Sequence, residues 1–480
     1  MSSYSNRGGG GFFAGVDAVA IALYVALVAV GCICITSASF DDTTSDIFAF
    51  SHFYIKQIIW VGVAFLAAIT VLLVDVSFFH RYAYILYGVG LILLLATLAF
   101  GREVNGAKAW FEFGSFRVQP VEMVKIATGL AVARVMSDYS FSIDNFKDLV
   151  KVCVVLAVPL GIIILQNDTG SGIVFGSFLF VFYREGLNSW LCVPVFLVAT
   201  LFIISFIFSP LFLLVISLLV CTVCDAMMTR EYRNHTIFVA YLMLGTMAIY
   251  LLSWLIFDDP FSLFTSLLIN SIVAIVVVGA YALRRQLSNT LFIVASFIFT
   301  MLFLPTTNYI FTSILRDHQR NRIMTFLGMI DDPLGTGYNV NQAKIAIGSG
   351  GLFGKGFLQG TQIKYGFVPE KHTDFIFCAL CEEWGFIGAI VLLGCFGLLI
   401  FRLIRMGERQ QETFGRVYCY CVASILLFHT LVNVGMTIGL MPVMGIPLPF
   451  MSYGGSSLVA FTVLLFVAIR LDSAANRDVR

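Results

Sequence analysis

The 480 residues are 59% apolar and only 12% charged, with a mean hydropathy of +0.93. Soluble domains run at roughly 45–50% apolar and about 25% charged, so a soluble globular protein is excluded and a polytopic membrane protein is expected. The formal net charge of +1 gives no ground for a nucleic-acid partner.

In chain order, the glycine run Gly8–Gly11 reads as a flexible tail. The first apolar run, 18–38, is of spanning length rather than the short core of a cleavable signal. Further runs follow at 57–76, 82–100, 120–137, 148–166, 170–183, 190–207, 209–226, 237–257, 264–283 and 290–310, and three close the chain at 375–402, 416–440 and 455–472. This predicts an all-α polytopic protein of about fourteen transmembrane helices, each near the ~20 residues that a bilayer demands. Four regions are expected: helices 1–6 in 1–186, an extended helical region in 187–310, a large loop in 311–374, and the last core helices in 375–480.

Orientation follows from lysine and arginine in the short connections. With the N-terminus inside, the inside loops carry His80-Arg81, then Arg134 with Lys147 and Lys151, Arg184, Arg230 with Arg233, Arg284-Arg285, Arg402 to Arg416, and the tail with Arg470, Arg477 and Arg480. Both termini are therefore expected in the cytoplasm. Two outside segments are basic against the rule: Arg102 to Arg117, with Lys108, and Ile314 to Lys371, with Arg316, Arg320, Arg322, Lys344, Lys355, Lys364 and Lys371. They are either solvated loop faces or the seat of an anionic lipid headgroup. Cys221-x-x-Cys224 and Cys378-x-x-Cys381 have redox spacing, but they lie in predicted spans and read as small buried hydrophobes.

Several polar residues stand where apolar ones are expected. Glu122 and Lys125, three apart, share a helix face; they form a structural ion pair or line a cavity. Asp168, in the QNDTGSG turn, could cap the following helix. Asp374 enters the 375–402 run, with His372 two residues before it and Glu382-Glu383 two turns deeper. A carboxylate at that position is costly and points to function. The glycines Gly348, Gly350, Gly351, Gly354, Gly356 and Gly360 lack phosphate-loop spacing, yet would let backbone N–H groups approach an anion. Pro442, Pro447 and Pro449 forbid a regular helix in 439–457; irregular backbone at that depth is expected to be a cavity wall.

The stretches NGAKAWFEFGSFRVQPVEMVK, QNDTGSG, RDHQRNRI, DDPLGTGYNVNQAKIAIGSGGLFGKGFLQGTQ, FVPEKHTDFIF, EEWGFIG and GIPLPFMSYGGSS resemble the SEDS family (shape, elongation, division and sporulation), with the Gly354–Gln362 run nearer the RodA branch than the FtsW branch. The motifs cover the chain except 187–310. The resemblance implies a peptidoglycan glycosyltransferase that polymerises lipid II at the outer face of the cytoplasmic membrane during cell elongation and shape maintenance. It also implies a class B penicillin-binding protein (a transpeptidase) and other elongation machinery as partners. It makes Asp374 the essential carboxylate, Glu122 and Lys125 the cavity ion pair, and Asp168 the acid of the QPD-type turn. Chemistry adds Lys108, Arg316, Arg320, Arg322, Lys355 and Lys364 as cations for a departing pyrophosphate, with His372 as a hydrogen-bond partner of the site. A divalent cation, Mg or Mn, could share the cations' task, in which case Asp374 is a ligand rather than a base. A lipid II flippase is the competing reading, and a non-catalytic scaffold for the transpeptidase a third. The chain departs from the family pattern at Val121, where serine is usual, at Asn167, where proline is usual, and in its predicted helix count, about four above the usual ten.

Overall fold

The computed structural model describes residues 15–39, 53–104, 106–113, 116–187, 204–205, 208–230, 232–257, 260–315, 317–329 and 336–478. The chain divides into two compact units, one of Met1–Cys192 with Arg322–Arg480 and one of Val193–Asn321. Among the described residues eleven helices are long and apolar enough to cross a membrane.

In the first unit, α1 (Ala18–Ser39), α2 (Phe53–Leu73) and α3 (Val76–Phe100) lead into three short strands, β1 (Arg102–Val104), β2 (Ala107–Phe113) and β3 (Phe116–Val118). Then come α4 (Pro120–Met136), α5 (Phe146–Leu165), α6 (Thr169–Val174) and α7 (Phe178–Arg184). The strands form an antiparallel sheet in the order β1-β2-β3, a correction to the all-α expectation. Glu112 stands opposite Arg117 across β2 and β3 and pairs with both Arg117, at 2.8 Å, and Arg102. The basic charge of this segment is thus partly compensated within the sheet. The predicted sixth span is not one helix, because a 3₁₀ turn at Phe175–Ser177 separates α6 from α7.

Among its described residues the second unit has four long helices, α8 (Pro210–Thr229), α9 (Tyr232–Ile256), α10 (Leu263–Arg285) and α11 (Ser288–Tyr309), which pack around Leu214, Leu218, Leu242, Leu267 and Phe297. The span expected at 190–207 lies outside the described residues apart from 204–205. After α11 come α12 (Asp317–Phe326), α13 (Thr336–Ser349), the single turn α14 (Thr361–Lys364), and the long helices α15 (Ile376–Arg409), α16 (Thr413–Thr437) and α17 (Gly455–Asp478).

Within the first unit, α16 and α17 are enclosed by protein: 78% of each spanning window is buried, against 22–28% in α2, α3 and α5. Lipid can therefore touch the outer helices along much of their length, while polar groups on α16 meet protein. At the end of the bundle away from Asp374, ion pairs clasp the helices. Arg402 on α15 reaches Asp17 at 2.6 Å, Arg409 reaches Asp472 at 2.6 Å, and Arg416 grips Glu185 with two bonds of 2.9 Å. Cys378 and Cys381 are buried and unbridged, as small hydrophobes would be; Cys224 is also unbridged but exposed.

Candidate active site

Glu382 and Glu383 explain the shape of the loop before Asp374. Glu382 is fully buried and collects donors from that loop. Lys355 Nζ donates at 2.7 Å, the Gln362 and Ile363 amides at 2.9 and 3.0 Å, and the Thr361 hydroxyl at 3.3 Å. The carboxylate thus sits on the N-terminal amides of α14, where an anion is favoured. Glu383 accepts from the Leu358 amide at 3.1 Å and from the Ser37 hydroxyl of α1.

The glycine pattern has a packing reason. Helix α15 breaks at Gly385, whose φ of 67° lies in the left-handed region, which glycine enters at no steric cost. Into the break docks the loop: the Lys355 and Gly356 amides donate to the Glu382 and Glu383 carbonyls, both at 3.0 Å, and the Phe386 amide donates to Gly351 O at 2.9 Å. A Cβ on Gly354 would stand 2.0 Å from the Glu383 carbonyl oxygen, and one on Gly385 would stand 2.3 Å from the Gly354 nitrogen. These two loop amides are therefore spent on helix α15 rather than offered to an anion. Gly354→Ala is expected to destabilise the protein by about 1–3 kcal/mol, measured as a loss of thermal stability in detergent; an unchanged midpoint would contradict the docking.

Asp374 itself is held by its backbone. Three successive carbonyls accept from three donors: His372 O from the Tyr453 amide at 2.8 Å, Thr373 O from the Ser452 hydroxyl at 2.7 Å, and Asp374 O from Asn433 Nδ2 at 2.9 Å. Asn433, buried on α16, donates also to Ile446 O at 2.7 Å. The proline-rich segment 439–457 is thus a wall that clamps the Asp374 loop. Its Gly445 has φ +68°, and a Cβ there would stand 3.6 Å from Asp374 Oδ2. Only the backbone is held in this way: the half-buried Asp374 carboxylate has no hydrogen-bond partner among the described residues.

The charges around that carboxylate are few. Burial, and then Glu370, push the Asp374 carboxyl up from its ordinary 3.8 to about 6, while Arg322 on α12 pulls it back. Burial depresses the Arg322 guanidinium, and the charges of Asp374 and then Asp168 hold it up. Arg322 therefore brings two of the expected acids into one electrostatic group.

The other expected residues separate into distinct roles. Asp168 caps α6 by accepting from the Ser171 amide at 3.1 Å and also accepts from Gln119 Nε2 at 2.9 Å. Asn167 before it has φ 60°, which proline, fixed near −65°, could not adopt; this accounts for the departure from the family pattern. Lys108 donates to Ala99 O at 3.2 Å at the end of α3. Lys355 is paired with Glu382 of α15 and also donates to Thr361 at 2.8 Å, so its charge is compensated where the loop meets the helix. Lys364 is exposed in the last turn of α14. The His372 ring stacks on Phe53 at 4.2 Å and makes no hydrogen bond among the described residues. Burial, and to a lesser degree Lys371, lower its pKa against the pull of Glu370, which favours the neutral ring. Arg320 belongs to the second unit, and Arg316 lies outside the described residues.

Glu122 and Lys125 do form an ion pair, at 2.8 Å and only 3% and 2% exposed. Lys125 also meets His429 Nε2 on α16 at 2.9 Å, and His429 Nδ1 meets Pro447 O at 3.2 Å. If the ammonium donates to Nε2, Nδ1 carries the proton and donates to the carbonyl, which assigns the tautomer of a neutral imidazole. This chain connects α4 to the wall that clamps Asp374. Gln119, Arg322's link to Asp168, Asn433, Gly445 and His429 escaped sequence reasoning, because an amide, a glycine or a histidine in an apolar run gives no local sign of its distant partner.

Among the described residues no three His, Cys, Asp or Glu side chains stand together as a metal cage.

Fold and site together define a polytopic membrane protein with a titratable carboxylate and a cation held at one end of a helical bundle. The family model described as cell cycle protein, covering FtsW, RodA and SpoVE, matches residues 17–218 and 211–477. The chain belongs to that family, and the match runs through the 187–310 region that the motifs left bare. It is 32% identical over 92% of its length to the peptidoglycan glycosyltransferase RodA of Treponema pallidum, covering 94% of that protein. It is also 32% identical over 79% of its length to the peptidoglycan glycosyltransferase MrdB of Escherichia coli K12, covering 75% of it. In fold it resembles a chain solved in a study of polymerization and crosslinking by a peptidoglycan synthase complex, with a TM-score of 0.61, 23% identity, and coverage of 96% of this chain and 98% of that one.

Proposed function

We propose that this peptidoglycan glycosyltransferase polymerises lipid II into glycan strands at the outer face of the cytoplasmic membrane during cell elongation, with a class B penicillin-binding protein as its transpeptidase partner. The observation that carries the site assignment is the Asp374 carboxylate: clamped through its backbone, without a hydrogen-bond partner at its oxygens among the described residues, and poised near pH 6. A general base needs that combination, because its pKa should lie near the working pH.

Asp374 takes the proton of the attacking sugar hydroxyl as the hydroxyl oxygen bonds to the donor's anomeric carbon. The bond to the lipid pyrophosphate breaks, and its electron pair leaves with the phosphate. Direct displacement inverts an α-linked donor to a β-linked glycan without a glycosyl-enzyme intermediate. Arg322 is the cation best placed to stabilise the departing charge, since its field already reaches Asp374 and Asp168. Glu122 and Lys125 act through His429 and the wall rather than by touching substrate.

Activity is therefore expected to rise with pH through about 6, as Asp374 ionises. Arg322→Ala removes a charge that favours the ionised form, so the acid limb should move up by roughly one pH unit, and Glu370→Gln should move it down. Rate–pH profiles at saturating substrate check both signs; a limb unmoved in either variant would remove Asp374 as the titrating group.

One observation suits the flippase reading instead: the Glu122–Lys125–His429 chain places polar groups inside the bundle. Purified protein with its transpeptidase and labelled lipid II separates the two. Glycan polymer on a gel supports the enzyme. Lipid II crossing liposome membranes with no polymer formed supports the flippase.

A further inference from the structure

The second unit has a cavity of about 980 Å³ among α8, α9, α10 and α11, a volume at the upper end of the roughly 300–1,000 Å³ of small-ligand sites. One end is polar, lined by Asp225, Arg285, Gln286, Asn289 and Thr290. Away from it the lining turns to Leu218, Leu242, Ile275 and Phe297, with Ser271 and Thr222 the polar exceptions. The cavity is thus amphipathic along its length.

The polar end is also basic. Arg230 closes α8 and Arg233 opens α9, while Arg284 and Arg285 close α10. The Thr290 hydroxyl of α11 donates to Asp225 Oδ1 of α8 at 2.9 Å, which brings the two connections to one end of the unit. Of these four arginines Arg285 lines the cavity, and the same stretches of sequence carry two acids, Asp225 and Glu231. Asp225 is further occupied by His235, which meets its Oδ2 at 2.9 Å. Glu231 lies outside the described residues.

We propose that this cavity holds one phospholipid with an anionic headgroup, its phosphate among the arginines and an acyl chain in the apolar part. Depth separates this occupant from a partner's transmembrane helix. On α8 the lining runs from Leu218 to Thr229, about 16 Å at 1.5 Å per residue. That is on the order of one leaflet, half of the ~30 Å hydrocarbon core. On α10 the lining runs from Ser271 to Arg285, about 21 Å at the same rise, so even along this wall the cavity stops short of the ~30 Å that a spanning helix occupies. Charge selects the headgroup, since each arginine near an anionic lipid surface contributes about 1 kcal/mol.

The test is native mass spectrometry of the full-length protein, delipidated in neutral detergent and titrated with phosphatidylglycerol or phosphatidylcholine. Retention of one phosphatidylglycerol in preference to phosphatidylcholine is expected. The double variant Arg284→Ala with Arg285→Ala should weaken it about thirtyfold, and Val278→Trp, which places bulk on the cavity lining, should abolish it. A matching circular dichroism spectrum and thermal midpoint would confirm that each variant is folded. Equal retention of both lipids, or phosphatidylglycerol binding unmoved in both folded variants, would overturn the proposal. So would stronger retention of a polyisoprenyl phosphate, which would assign the site to the substrate's own lipid, or displacement of the bound lipid by the transpeptidase's membrane helix.

Discussion

Asp374→Asn is expected to abolish polymerisation while making the protein more stable near neutral pH. The loss follows from the base: an amide cannot take the hydroxyl proton, and positioned general bases are typically worth about 10²–10⁴ in rate. The gain follows from linkage. The folded carboxyl titrates near 6, above its ordinary 3.8, so between those values the folded state binds more protons than the unfolded one. Stability contributed by the protonated form is present below about pH 4 and is lost as pH rises through 6. At neutral pH the ionised, half-buried carboxylate costs about 1–2 kcal/mol after solvent screening, and asparagine removes that cost. Turnover of labelled lipid II and thermal midpoints at pH 5 and 7.5 check both halves. An inactive variant with a lowered midpoint at neutral pH would mean that Asp374 is structural, and an active one would remove it from the chemistry altogether.

Glu382→Ala should have the opposite character, losing activity because the loop comes undone. The carboxylate accepts from Lys355, Gln362 and Ile363 within 2.7–3.0 Å and is fully buried. Removing it leaves two amides and a half-buried ammonium without their acceptor. Breaking a buried pair from one side typically costs about 3–5 kcal/mol, enough to release the segment between Gly350 and Lys364 from α15. Protease protection of that loop should fall with the thermal midpoint. The cost depends on the partner left behind, so adding Lys355→Met should restore part of the stability, with a coupling of about 1–3 kcal/mol in a double-mutant cycle. Additive effects would show that the ion pair is not what holds the loop.

These two carboxylates show where sequence reasoning reached and where it stopped. Both stand out in the sequence as acids at or in an apolar run. Nothing in their local sequence distinguishes an acid met by amides and an ammonium from one whose oxygens meet no donor among the described residues. The cations behave likewise. Lys355 and Arg322 both belong to the basic loop by composition, yet Lys355 is folded onto Glu382 while Arg322 faces Asp374 and Asp168 electrostatically. The loop glycines read as room for an anion, whereas the structure uses one of them, Gly354, with Gly385 of α15, to bring loop and helix backbones together. The strands at 102–118 were missed because they are short and carry as much charge as a loop.

By itself the sequence determined the membrane class, most of the helices, the loop that carries Asp374 and the family. Each of these is a sum over neighbouring residues: apolar length against bilayer thickness, proline and glycine punctuation, motif spacing. The tertiary structure decided which polar groups are spent and which are offered. Those outcomes rest on contacts such as Lys125 with His429, 304 residues apart, or Asn433 with the Asp374 carbonyl, 59 apart. In a buried site the energy of a charge depends on what lies within a few ångströms of it, and only the folded chain decides what that is.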